Sequence, residues 1–62
     1  MSEHGKGRLR QLFLEVLDNY EGAEGMLISE TLWGDAVEDS YNRLKVECQE
    51  FRTKFEALLA AA

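Results

Sequence analysis

The sequence predicts an all-α fold, a small helical hairpin, on three observations. An apolar repeat at helical spacing runs unbroken from Val37 to Ala62, a second apolar stripe runs from Leu9 to Tyr20, and the chain contains no proline. Proline fixes φ and removes a backbone donor, so it breaks helices and punctuates turns. Its absence leaves long helices open. Sixty-two residues leave room for one domain. A chain this short buries only ~60% of the surface its unfolded form exposes, and such chains usually recruit disulfides, a metal or a partner. Cys48 is the one cysteine, so there is no internal disulfide, and with His4 it supplies two sulfur or imidazole ligands where structural zinc takes four. No metal and no cofactor is expected. Helix packing remains, most simply against a second copy, and the expected assembly is a dimeric helical bundle.

The elements follow in order. Residues 1–7 hold Gly5 and Gly7 and no apolar period, and read as a flexible tail before a single helical domain over 8–62. Helix one is expected over about 8–21, where Leu9, Leu12, Phe13, Val16 and Tyr20 share one stripe. Gly22 and Gly25 then each cost a helix roughly 1 kcal/mol relative to alanine, so the helix should end or bend there. A short helix or turn is expected over about 26–33, with Ser29 able to cap it. The alternative is that helix one runs on to Trp33, because Leu27 stays on its apolar face. Gly34 suits a helix-ending left-handed position. Asp35 as N-cap with Glu38 three residues on makes a variant capping box and opens a long helix over about 35–60, roughly 39 Å at 1.5 Å per residue.

That last helix carries the strongest pattern. Tyr41, Cys48, Phe55 and Ala62 occupy position a of a heptad, and Val37, Leu44, Phe51 and Leu58 occupy position d. The plain reading is the core face of a bundle helix. The sharper one is an oligomer interface made by Val37, Tyr41, Leu44, Cys48, Phe51, Phe55 and Leu58. The two are compatible if helix one covers one side and a second chain the other. The aromatic residues are too large for a tight two-stranded coil and suit a wider bundle built from hairpins. Cys48 reads as a small buried hydrophobe; in a parallel dimer it would face its own copy and crosslink on oxidation. Met26, Leu27, Ile28, Leu32 and Trp33 form a dense apolar segment. Trp33 is either a lid on the hairpin core or, with these neighbours, the anchor for a protein partner, since tryptophan is enriched among interface hot spots.

The net charge is −5. Between Gln11 and Asn42 lie Glu15, Asp18, Glu21, Glu24, Glu30, Asp35, Glu38 and Asp39 without a lysine or arginine. Such a block reads first as a solvated face and second as an acidic surface for a basic partner, with Glu15, Asp18, Glu21 and Glu24 as its core. Nucleic-acid binding needs a basic footprint; Lys6, Arg8 and Arg10 are too few, and Glu47, Glu50 and Glu56 burden the helix that would enter a groove. No apolar run nears the ~20 residues of a membrane span, and no apolar core follows the basic start as in a secretory signal. One unpaired cysteine suits a reducing compartment, and the expected location is cytoplasmic.

Catalysis needs a nucleophile, a base and a pocket. The one histidine falls in the expected tail, Ser2, Ser29 and Ser40 have no fixed base, and Gly5 and Gly7 precede no phosphate-binding motif. The chain is therefore expected to be a non-catalytic protein-binding module, a dimeric regulator, adaptor or inhibitor. The alternatives are an acidic decoy that occupies a nucleic-acid-binding surface and a structural subunit of a larger assembly.

Overall fold

Ser2 opens the first helix. Its backbone is extended and its Oγ accepts the Gly5 N–H at 3.1 Å, while Glu3 puts a carboxylate in the first turn. Both satisfy the positive N-terminal end of a helix. In the computed structural model, which describes all 62 residues, helix α1 spans Glu3–Thr31 and helix α2 spans Asp35–Ala61. There are no strands. Residues 1–7, expected as a tail, are instead the cap and opening turn of α1.

The expected break at 21–25 and the separate short helix over 26–33 are likewise replaced by continuity: α1 runs through both glycines to Thr31. At Gly25 a tertiary contact offsets the local cost, while Gly22 has nothing within 4 Å of an added Cβ. Tyr41 crosses α1 at Gly25, where an added Cβ would come within 3.3 Å of the tyrosine ring. The phenol Oη donates to the Gly25 carbonyl at 3.0 Å and is also bonded to Ser29 Oγ. Gly25 thus marks a close approach between helices, and Ser29 serves that crossing where a cap was expected.

Leu32, Trp33 and Gly34 make the connection. The Leu32 N–H still donates to the Ile28 carbonyl at 3.0 Å, and Leu32 itself is extended. Gly34 has φ 57° and ψ −135° and is the N-cap of α2, with no side-chain bond to the cap. Asp35 is therefore the first helical residue and the expected Asp35–Glu38 capping box is not formed. Both carboxylates still lie in the first turn, where they oppose the positive end of the helix dipole.

The helices lie antiparallel. Arg10 pairs with Glu56, Phe13 stacks on Phe55 with ring centroids 4.1 Å apart, Tyr20 reaches Glu47 and Phe51, and Gly25 meets Tyr41. The hairpin extends 47 × 16 × 9 Å, so it is one helix thick. Its buried residues are Leu44, Cys48 and Leu59, all from α2, with Phe13, Leu17, Tyr20 and Ile28 of α1 half-buried against them.

Leu59 was not among the expected seam residues, and Leu58 was. Leu59 is 4% exposed and Leu58 72%. The cause is geometric: a straight helix advances about 100° per residue and drifts ~20° per heptad from a strict seven-residue repeat. Counted from Cys48, Leu59 returns to within about 20° of the same direction, whereas Leu58 ends about 80° away.

Candidate partner-binding surfaces

The sequence-expected seam divides. Leu44 and Cys48 are buried and Val37, Tyr41 and Phe55 half-buried within the hairpin, because α1 is long enough to lie along the whole of α2. Cys48 therefore packs inside its own chain and does not face outward for a crosslink. Burial pushes its thiol above the usual range, with the Glu21 carboxylate adding to the effect, so little reactive thiolate is present near neutral pH. Phe51 and Leu58 are left exposed.

Of the stripe expected on helix one, Phe13 and Tyr20 turn toward α2, while Leu9, Leu12 and Val16 are exposed. Taking Leu17 as the inward direction, Leu9, Val16 and Leu27 lie about 80–100° to one side and Leu12 about 140° round on the same side. The ring of Tyr20 meets Phe51 edge-on, centroids 6.0 Å apart, on that same side. Leu9, Leu12 and Val16 of α1 thus share one flank of the hairpin with Phe51 and Leu58 of α2. Toward the turn this flank becomes polar, in a groove lined by Tyr20, Glu24, Ser40, Arg43 and Glu47.

Tyr20 Oη donates to the Glu47 carboxylate. That bond, with burial and the carboxylate's charge reinforcing it, pushes the phenol up to about 12 from an ordinary ~10. The bond's contribution to stability is complete below pH ~10 and is lost as pH rises through about 12. A tyrosinate absorbance step near pH 12 is expected in the folded chain; Tyr20→Phe should remove it and flatten the decline in stability between the two values.

The opposite flank is charged. Arg10 donates Nε to Glu56 Oε1 at 2.7 Å and Nη2 to Oε2 at 3.2 Å, which holds the Glu56 carboxyl below its usual range and Arg10 above its own. Both partners are about half exposed, so the pair sets register at the free end more than it stabilises. An open groove of about 750 Å³ follows on this side, lined in part by Asp18, Glu21, Gly25, Tyr41 and Lys45. Glu15, Asp18, Glu21 and Glu24 recur every three residues on a continuous helix, and so spread over about 180° of its surface without forming one face. His4 is exposed on the opening turn of α1.

The tip of the hairpin is apolar and open. Trp33 is 87% exposed, which replaces the expected alternative of a lid on the core. Met26, Leu27 and Leu32 are exposed beside it. Ile28, grouped with them in the sequence, is half-buried and lies within about 20° of the inward direction. No helix is long and apolar enough to cross a membrane. Comparison with protein-family models, with curated proteins and with solved structures finds no match for this chain.

Proposed function

We propose that this chain is a small non-catalytic protein-binding module, a dimeric regulator, adaptor or inhibitor that grips a partner protein with the tip of its hairpin. The observation that carries the reading is the solvent exposure of Trp33 between the ends of two helices, with Met26, Leu27 and Leu32 around it. Tryptophan is on average a highly buried residue, and a cluster of large apolar side chains held in water raises the free energy of the unbound state. Tryptophan also dominates the energetics of many protein interfaces. Two helix ends supply a rigid mount, so little ordering entropy is lost on docking. The exposed His4 and the open grooves support a binding role over a catalytic one.

Trp33 is the only tryptophan, so its emission reports directly on the tip. The free chain should fluoresce like solvated indole. In extracts of its source cells, the tagged full-length chain should retain a protein partner in constant ratio, and the purified pair should show a blue shift of Trp33 emission. Trp33→Ala should weaken binding at least ~10-fold with helicity unchanged. Equal affinity of the wild type and Trp33→Ala for that partner would remove the tip from the interface.

A further inference from the structure

We propose that a second copy of this chain covers the apolar flank, with the two hairpins side against side and both tips at the same end. This rests on the dimeric reading above and adds the face and the orientation.

Surface area argues that something of this size is uncovered. A folded monomer of 7.1 kDa is expected to expose about 4,100 Å². This chain exposes 4893 Å², an excess of about 800 Å², which matches the ~800 Å² that each partner contributes to a standard protein interface. The excess follows from the shape: a slab 9 Å thick has no second layer, whereas domains are built from at least two layers packed around one core.

The flank that needs covering is the one carrying Leu9, Leu12, Val16, Phe51 and Leu58. Val16 is 67% exposed. The positions of α1 that line it most directly, Leu9, Val16, Ala23 and Leu27, include no charge. α2 adds Glu47 and Lys54 at the edge of Phe51 and Leu58, while the opposite flank holds Arg10, Glu56, Asp18, Glu21 and Arg52. Away from the turn, the hairpin is thus apolar on one flank and charged on the other, amphipathic as a single surface helix is.

Register selects the orientation. The Arg10–Glu56 and Phe13–Phe55 pairs place Leu9 at the height of Leu58 and Val16 at the height of Phe51. A two-fold axis parallel to the hairpin lays α1 of one copy along α2 of the other, antiparallel, and sets Leu9 over Leu58 and Val16 over Phe51 across the interface. All neighbouring helices then oppose their dipoles, in a four-helix bundle. An axis crossing the hairpin at mid-height would instead lay each helix along its own copy and set Leu58 near Ser40 and Phe51 near Glu47 of the other copy, burying a charge against an aromatic ring. The same-end arrangement delivers two Trp33 side chains at one end of the bundle, a two-pronged tip for a partner with paired sites.

Sedimentation equilibrium of the full chain tests the face. The wild type and Trp33→Ala should both give twice the 7.1 kDa of one chain. Val16→Glu combined with Leu58→Glu, both exposed in the hairpin, should raise the dissociation constant ~100-fold or more while far-UV circular dichroism stays helical. Because those changes leave Trp33 in place, a monomeric wild type would overturn the dimer without touching the tip. A dimer unaffected by the double substitution would overturn the face. Spin labels on Ala36→Cys, in the first turn of α2, test the orientation. Same-end packing predicts a separation below about 30 Å, two to three helix diameters. A separation approaching the 47 Å length of the hairpin would overturn it.

Discussion

Leu44→Asp should leave the chain largely unfolded at neutral pH. Leu44 is 7% exposed and is one of three buried residues. Truncating a buried leucine to alanine already costs about 2–5 kcal/mol, and a chain of this size has on the order of 3–9 kcal/mol of total stability. Aspartate adds an unpaired carboxylate to the same position, a further cost of several kcal/mol. The adjoining grooves hold Asp18, Glu21, Glu24, Glu30 and Glu47 against Lys45 and Arg43, so the net field there is repulsive to it. Burial and these neighbours raise the folded-state pKa of the introduced carboxyl, so folding is restored as pH falls and the group becomes neutral. Far-UV circular dichroism from pH 7 to pH 4 should show low helicity that rises on acidification. Leu44→Met should stay near wild type, because volume-conserving apolar exchanges cost less than about 1.5 kcal/mol. A helical Leu44→Asp at pH 7 would mean that the core does not depend on this residue.

Gly34→Val is the second large effect, and it acts through the backbone. Gly34 is the only residue with positive φ, and φ 57° with ψ −135° lies where a β-carbon collides with the chain itself. Space around the site is open, with nothing within 4 Å of an added Cβ, so the cost is conformational and not steric contact with neighbours. It should amount to about 1–3 kcal/mol, toward the upper end for a β-branched residue. Gly22→Ala is the control. It also meets nothing within 4 Å but sits in regular helix, so it should stabilise by about 0.5–1 kcal/mol. In thermal melts the two variants should move in opposite directions; movement in the same direction would show that the turn geometry is not what Gly34 supplies.

The sequence's periodicity was enough to read two helices, their approximate pairing and the inward position of Leu44, Cys48 and Phe55. It was not enough at three places, each for a physical reason. The continuity of α1 depends on Tyr41 packing against Gly25, a contact between residues far apart in the chain, which local glycine propensity does not contain. The exchange of Leu58 for Leu59 at the end of the seam depends on whether the helix is straight or supercoiled, which a heptad template decides in advance. On α1, Leu9, Leu12, Phe13, Val16 and Tyr20 span a stripe wide enough for two neighbours, and only the position of α2 says that Phe13 and Tyr20 meet it while the others do not. One missed signal was present: Ser2 ahead of Glu3 is an N-cap pattern, hidden by reading Gly5 and Gly7 as the mark of a tail. The exposure of Trp33 was one of two outcomes the residues allowed.

The thinness of the hairpin also governs its timescales. With one helical layer and contacts that join neighbours across a single turn, no backbone amide lies deep beneath other structure. Amide exchange should therefore show little gradient between edge and centre, most sites being released by the same opening event. Topologies dominated by local contacts form quickly, within microseconds to milliseconds. A chain that opens readily and closes quickly is poised so that whatever ligates the closed form lengthens the lifetime of every amide at once.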